Sequence, residues 1–428
     1  MQADCAESIE NYAKKSVQYG SKCLFSGEHG WQGNAFLTYE TANAKDKDGN
    51  KIYNLKYRHS AEAYWVKDRH EKDRSNCHIV IVAKNDEGRQ DINFALSLAN
   101  DKEDGSYYYK PRLDLELLLN IPPQNIIVTS ACIAGWKYDD AEEIWLKIHN
   151  HFKNNFFLEV QAHNTDEQKV LNKKILEIAK KNDIQIICGL DSHYVNDENN
   201  FKRDQILKYK GIVYEDEEGW YLDFPNGKEV LQRFQKQGIL TLEESLKSIM
   251  NTNVFVNECE EIVYDKHFKI PCVYPNTTYK ERANIYKNIL KERYKKEKLK
   301  SNEKKQGIMY EAQQVIDSGV VDYFLTNDKI IQTALTKYNG ILTTTSRGSS
   351  ASFVTNKLLG FTTIDRFNSE IPIYPERFLT KDRVLSGQMP DIDFNIATQE
   401  PFIQATKEIL GEHNCYPLLA IEKLKEKK

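Results

Sequence analysis

The sequence predicts an α/β protein of two or three domains, and three observations carry that prediction. The chain of 428 residues exceeds one ordinary domain. Its N-terminal half alternates short apolar runs with stretches of helical period. Its balance of 40% hydrophobic to 29% charged residues is that of a globular chain rather than a disordered one.

The elements follow in order. Residues 77–83 (Cys-His-Ile-Val-Ile-Val-Ala) read as a buried strand, as do 125–130 and 156–160. Residues 166–181 read as a helix with Leu171, Ile175 and Ile178 on one face, and 184–190 as another strand. Strand–helix–strand of this kind means parallel α/β layers, and a barrel is one way to close them. Over 195–285 the pattern loosens, with Pro225-Asn226-Gly227 and Pro271 to Pro275 as punctuation and helical stretches over 229–261 as a bridge. A basic helix then leads from Arg282 to Asp322-Tyr323-Phe324-Leu325, and a second helix over 327–338 stops at Gly340. Residues 340–345 read as a strand, 346–352 as a turn and 353–359 as a helix.

Composition excludes several classes. No apolar run approaches the roughly 20 residues of a membrane span. Met1 to Glu7 lacks a charged-then-apolar leader. Eight cysteines without a CxxC pair suit a reducing cytoplasm rather than a disulfide framework. A net charge of −4 does not mark a nucleic-acid binder, but residues 282–305 hold ten Lys/Arg against three Glu. That run is either a solvated helical face or a contact to a phosphate backbone.

Two constellations carry chemistry. In parallel α/β folds, functional side chains collect at the C-terminal ends of strands. His29 (in Glu28-His29-Gly30), Glu62, His78, Cys132 and the pair Asp191 and His193 all lie beside strand-like runs. Mixed His/Asp/Glu/Cys ligation suits zinc, manganese or iron. Each residue alone is as readily structural; recurrence beside successive strands points to a shared pocket. The second constellation is Ser346-Arg347-Gly348-Ser349-Ser350-Ala351-Ser352 followed by Met389-Pro390-Asp391-Ile392-Asp393. In a β-type run Asp391 and Asp393 point to one face and can hold two divalent cations against a triphosphate. A strand–small-loop–helix turn offers backbone N–H groups and a helix N-terminus to phosphate oxygens, with Ser349, Ser350 and Arg347 as further donors. Alone, that loop would read as a serine-rich N-cap. Paired with the carboxylates it is the equipment of phosphoryl transfer.

The order of these motifs resembles the C-family replicative DNA polymerases of bacteria, the polymerase III alpha subunits. The family's Gly-Arg-Gly-Ser loop corresponds to Ser346-Arg347-Gly348-Ser349, its Glu-Arg-Phe-Leu to Glu376-Arg377-Phe378-Leu379, and its Met-Pro-Asp-x-Asp to Met389-Pro390-Asp391-Ile392-Asp393. Asp322-Tyr323-Phe324-Leu325 is similar to the family's Gly-Tyr-Phe-Leu. The N-terminal half resembles the family's PHP (polymerase and histidinol phosphatase) domain through Glu28-His29-Gly30, Ala61-Glu62, His78, Ser130-Ala131-Cys132-Ile133-Ala134-Gly135 and Asp191-Ser192-His193-Tyr194. The resemblance implies a distorted (β/α) barrel PHP domain over 1–200, its end and a helical connector over 201–281, and over 282–428 an incomplete α+β palm of the nucleotidyltransferase type, related to polymerase beta. It implies Mg²⁺ on Asp391 and Asp393. It implies nucleotide phosphates on Arg347, Gly348, Ser349 and Ser350. It implies Zn²⁺ or Mn²⁺ among His29, Glu62, His78, Cys132, Asp191 and His193.

The departures are specific. The family's opening His-x-His has no counterpart after Met1, so the PHP site is expected to be metal-poor or inactive. Ser346 replaces a glycine, and Asn395 stands where a third acid is common. The family's third catalytic aspartate and its fingers come after the segment that ends at Lys428. The expected function is thus a component of a DNA-directed DNA polymerase. It would act on primer–template DNA and deoxynucleoside triphosphates with a second polypeptide and other replisome subunits, and be inactive alone. The alternatives are a metal-dependent phosphoesterase or 3′–5′ exonuclease, and a non-catalytic DNA- or replisome-binding module.

Overall fold

The computed structural model describes residue 5 and residues 7–75, 77–212, 219–298, 300–343 and 348–416. The chain forms two compact units, Met1–Asp265 and Lys266–Lys428.

In the first unit, β1 (Cys23–Leu24) and β2 (Lys56–Tyr57) make a short parallel pair. A five-stranded sheet follows in the order β3 (Ser60–Trp65), β4 (Cys77–Ala83), β5 (Ile126–Thr129), β6 (Phe156–Val160) and β7 (Ile186–Cys188). The helices in chain order are α1 (Ile9–Gln18), α2 (Ala35–Ala42), α3 (Asp86–Ala99), α4 (Leu115–Leu119), α5 (Ala141–Phe152), α6 (Asp166–Asn182), α7 (Asp197–Tyr209), α8 (Gly227–Gln237), α9 (Leu242–Asn251) and α10 (Val254–Asn257).

The fold is α/β, as expected, but the sheet is mixed rather than all parallel. β4 runs antiparallel to both β3 and β5, while β5, β6 and β7 are parallel. The reason lies in the connections. α5 and α6 supply the crossovers that parallel neighbours need, whereas the described residues between β3 and β4 form no helix, so the chain simply returns.

Strand periodicity sorts the side chains onto two faces. Ile79, Ile81, Val128, Leu158 and Ile186 enter the main core. Val82, Ile127, Phe157 and Ile187 turn the other way and are covered by Val254 and Phe255 of α10. Strands buried on both faces read as unbroken apolar runs, which is why 77–83 and 156–160 stood out in the sequence.

The second unit holds α11 (Tyr279–Lys295), α12 (Asn302–Asp317), α13 (Val321–Lys337), α14 (Val354–Leu359), α15 (Lys381–Leu385) and α16 (Glu400–Leu410). Its core contains Tyr286, Leu290, Val315, Phe324, Ile331, Phe353 and Ala405. Thr278 and Glu281 form a reciprocal capping box that starts α11 three residues before Arg282. Asp322-Tyr323-Phe324-Leu325 lies inside α13 rather than ahead of a helix. The strand expected over 340–345 reduces, among the described residues, to one antiparallel bridge between Leu342 and Ile396. Hydrogen bonds from the Thr343 N–H to the Asn395 carbonyl and from the Ala397 N–H to the Ile341 carbonyl flank it.

Candidate functional sites

His78, Thr129 and Glu159 share the sheet face of Val82, Ile127 and Phe157, at its opposite end. Because β4 is antiparallel to β5, its first residues lie at the same end of the sheet as the last residues of β5, β6 and β7. The site thus lies at the carboxyl ends of the parallel strands.

Glu62 of β3 is the hub. Its carboxylate lies 2.7 Å from His78 Nδ1 and 3.6 Å from His29 Nε2. His29 reaches it through a parallel bridge to Glu62, with the Gly30 N–H donating to the Glu62 carbonyl at 2.9 Å. Cys132 Sγ stands 3.5 Å from His78 Nδ1. Glu28, beside His29, turns away and accepts from the Asn34 N–H at 2.7 Å. One ligand atom each from His29, Glu62 and His78 falls within 4.8 Å of the others. Ligand atoms around a tetrahedral ion sit roughly 3.3–3.8 Å apart at bond lengths of about 2.0–2.3 Å, so this donor set fits a divalent metal. Its two imidazoles and one carboxylate, with the Cys132 sulfur beside them, suit zinc or manganese better than magnesium.

Asp191 and His193 follow β7 and pair at 3.1 Å. Burial raises a carboxylate, but the His193 hydrogen bond and the nearby imidazoles of His163 and His29 outweigh it and hold Asp191 below the usual range. Burial, then the carboxylates of Glu62 and Asp191, push the Cys132 thiol well up. Asp191 is thus tied electrostatically to His193 and His29, and Cys132 to Glu62 and Asp191.

Two further residues belong to this neighbourhood. Glu159 is buried and pushed up to about 7, first by burial. It accepts hydrogen bonds from Thr129 (2.6 Å) and Gln161 (2.9 Å), and Gly189 packs so closely on it that a Cβ there would sit 1.8 Å from its Oε1. His163 is 3% exposed. Its Nδ1 accepts the Tyr221 N–H at 2.9 Å, so the neutral ring carries its proton on Nε2, which is a donor and not a metal ligand. The signal for Glu159 was a lone acid inside the apolar run 156–160; for His163 there was none.

In the second unit the loop and the carboxylates do meet. Gly348 has φ +78°, and a Cβ there would lie 2.4 Å from Asp393 Oδ2. Only glycine lets this backbone approach the carboxylate so closely. Ile392 is buried, Asp391 exposed and Asp393 half-buried, but the segment lies outside any strand. The Ile392 side chain anchors it. The Tyr323 phenol, hydrogen-bonded to the Ile392 backbone, is raised by burial and by the charges of Asp391 and Asp393. Open carboxylates of this kind fit Mg²⁺, which keeps several of its waters.

Three expectations need correction or reassignment. Ser350 is fully buried, and its hydroxyl donates to the Asp393 carbonyl at 3.5 Å, so it bolts the loop to the carboxylate segment rather than facing a phosphate. The helix N-terminus behind the loop is already filled: the Glu311 carboxylate accepts the Thr355 N–H at 2.8 Å and pairs with Arg366 at 2.8 Å. An anion seated there competes with any phosphate, and of the described loop residues only the exposed Gly348 and the half-buried Ser349 are not buried. The basic run is also partly spent internally. Arg282 pairs with Asp322 (2.6 Å), Arg293 with Asp328 (2.6 Å), and Lys304 with Glu297 (2.7 Å) and Asp365 (2.5 Å). Arg347 lies outside the described residues.

Among the described residues no helix is long and apolar enough to cross a membrane. Comparison with known proteins matches residues 281–428 to the bacterial DNA polymerase III alpha NTPase domain and residues 1–163 to the PHP domain. The chain is 28% identical to the DNA polymerase III subunit alpha of Aquifex aeolicus, over 99% of this chain and 38% of that protein. It is 25% identical to the subunits of Borreliella burgdorferi and Treponema pallidum, over 99% of this chain and 37% and 36% of theirs. The chain thus spans less than two-fifths of the length of these relatives. With both domain models matched in order and nearly every residue aligned, the chain is similar to bacterial DNA polymerase III alpha subunits along almost its whole length.

Proposed function

We propose that the chain is a component of a DNA-directed DNA polymerase, in which Asp391 and Asp393 hold two Mg²⁺ ions for nucleotidyl transfer onto a primer. The observation that carries this reading is the seat of the Asp393 carboxylate against the Gly348 backbone. It brings the small-residue loop and the Asp391–Asp393 segment to one point. Bound there, the metal ions would activate the primer 3′-hydroxyl and neutralise the triphosphate. The chain's own contribution is placement. Gly348 and Ser349 offer donors to the phosphates, Ser350 ties the loop to the carboxylate segment, and Tyr323 fixes the backbone between the two acids. The same reading carries a PHP domain whose strands close as a distorted barrel, and a palm from about residue 282. The substrates are primer–template DNA and deoxynucleoside triphosphates, and the partners other replisome subunits. Mg²⁺-dependent binding of a labelled deoxynucleoside triphosphate to the full chain tests the reading. Asp393→Asn is expected to weaken it at least tenfold, and unchanged binding by that variant refutes it.

A second reading, a metal-dependent phosphoesterase or 3′–5′ exonuclease in the first unit, is favoured by the His29–Glu62–His78 cluster with Cys132, Asp191 and His193 beside it. Mn²⁺- or Zn²⁺-dependent hydrolysis of a nitrophenyl nucleotide ester, lost in His78→Ala, supports it. Absence of hydrolysis with either metal rejects it.

A further inference from the structure

Helix α9 turns much of its apolar side-chain volume outward. Ser245 and Ser248 on its inner face are fully buried, while Leu242, Leu246 and Met250 on its outer face are 54%, 44% and 63% exposed. A solvated helix shows the reverse, with its apolar stripe toward the core and polar residues opposite. The two serines let the helix sit close to the first unit. The Ser245 hydroxyl donates to the Thr241 carbonyl at 2.8 Å and the Ser248 hydroxyl to the Ser245 carbonyl at 2.9 Å, so both are satisfied on the helix's own backbone. Near the C-terminal end, Asn251 donates from Nδ2 to the Ile186 carbonyl of β7 at 2.7 Å. At the other end Thr241 and Glu244 form a reciprocal capping box. The helix is thus fixed at both ends, and its outer face has a set orientation.

Leu242, Leu246 and Met250 recur at i, i+4 and i+8, which makes one continuous ridge along the helix. With Glu243 and Lys247 they line a shallow surface groove. The two charged residues are exposed, lie one turn apart and flank the ridge on the same side. That pattern is self-complementary. In an antiparallel pair about a two-fold axis level with Ser245, Leu246 of one copy inserts between Leu242 and Leu246 of the other, and Leu242 between Leu246 and Met250. The same register sets each Glu243 beside the other copy's Lys247. Contacts of this isologous kind close as a dimer.

We propose that the outer face of α9 is a homodimer interface, in which Leu242, Leu246 and Met250 of two copies interleave and Glu243 pairs with Lys247 across the axis on both sides. The charge pattern selects a second copy as the occupant: the face carries both members of an ion pair at the spacing that its own duplicate, turned end for end, satisfies. A helix of ten residues is about 15 Å long, so it covers less than the roughly 800 Å² per partner of a standard interface, and the association is weak and concentration-dependent. The interface is independent of both functional readings, since none of its residues belongs to either site.

Sedimentation equilibrium of the full chain, from low micromolar to submillimolar concentration, tests the proposal. The weight-average mass is expected to rise from 49.8 kDa toward twice that value. Leu246→Glu, and Met250→Lys as a second variant, should hold it at the monomer value. Both positions are exposed in the single copy, so circular dichroism and melting of these variants should match the wild type. Lys247→Glu should weaken dimerisation roughly 4- to 30-fold, the swing from two attractive to two repulsive pairs. Glu243→Lys combined with Lys247→Glu should restore it. A wild-type mass that stays at the monomer value at every concentration overturns the proposal. A fall in Tm for Leu246→Glu would then mean that another segment of the same chain covers the face, and an unchanged Tm would leave it to a different protein. A dimer that survives Leu246→Glu, or one that the double reversal fails to restore, overturns it as well.

Discussion

Gly348→Ala separates what the loop does for stability from what it does for binding. An added Cβ would stand 2.4 Å from Asp393 Oδ2, closer than such atoms approach. The clashing atom is the far end of a side chain, so the strain is relieved by swinging the carboxylate about 1 Å rather than by unfolding, and the energetic cost stays near that of holding a non-glycine residue at φ +78°, ψ −174°, about 1–3 kcal/mol. For a unit of this size that is a Tm loss of roughly 2–12 °C. The displaced carboxylate matters more for function, where a misplacement of about 1 Å costs on the order of 100-fold. Gly360 supplies the control. Its φ is +84°, with nothing within 4 Å of an added Cβ. Gly360→Ala, at a left-handed residue, should cost about 1–2 kcal/mol and leave Mg²⁺-dependent nucleotide binding untouched. The assay is thermal unfolding of the full chain beside titration with a labelled deoxynucleoside triphosphate. Equal nucleotide affinity of the two variants would refute the idea that Gly348 exists to seat Asp393.

Three further outcomes are expected. His78→Ala should reduce Mn²⁺ or Zn²⁺ affinity by 100-fold or so in calorimetric titration, since even an outer-shell partner of a ligand typically costs about 10- to 100-fold. Glu159 has a folded pKa of about 7, raised from its ordinary value, so the folded state binds the extra proton and stability falls as pH rises from about 4.5 to 7. The loss is on the order of 3 kcal/mol, and urea denaturation at pH 5 and pH 8 should show it in the wild type and not in Glu159→Gln. Glu311→Ala strands Arg366 and the first N–H groups of α14, so it should cost about 3–5 kcal/mol in urea denaturation, with a smaller cost for Glu311→Gln.

Much of this was legible in the linear sequence, for reasons the structure makes plain. Strands over 77–83 and 156–160 were readable because sheets buried on both faces demand unbroken apolar runs. Asp391 and Asp393 stood out because two acids spaced by one apolar residue put Ile392 into the core and leave both carboxylates outside it. The resemblance to bacterial DNA polymerase III alpha subunits was readable because motif order survives divergence that erases most identities. What a chain cannot display is who meets whom. Glu62 became the hub only when β3 and β4 paired antiparallel and His29 bridged to β3. Glu159 became a proton-holding neighbour only because β6 lies beside β5 and Gly189 closes over it. The helix N-terminus behind the loop looked vacant in sequence, yet Glu311, more than 40 residues earlier, fills it. Local residue types therefore determined the elements and the chemical menu. Packing between distant segments alone decided which carboxylates gather at a metal-ready point, which serine turns inward, and which cations are already paired.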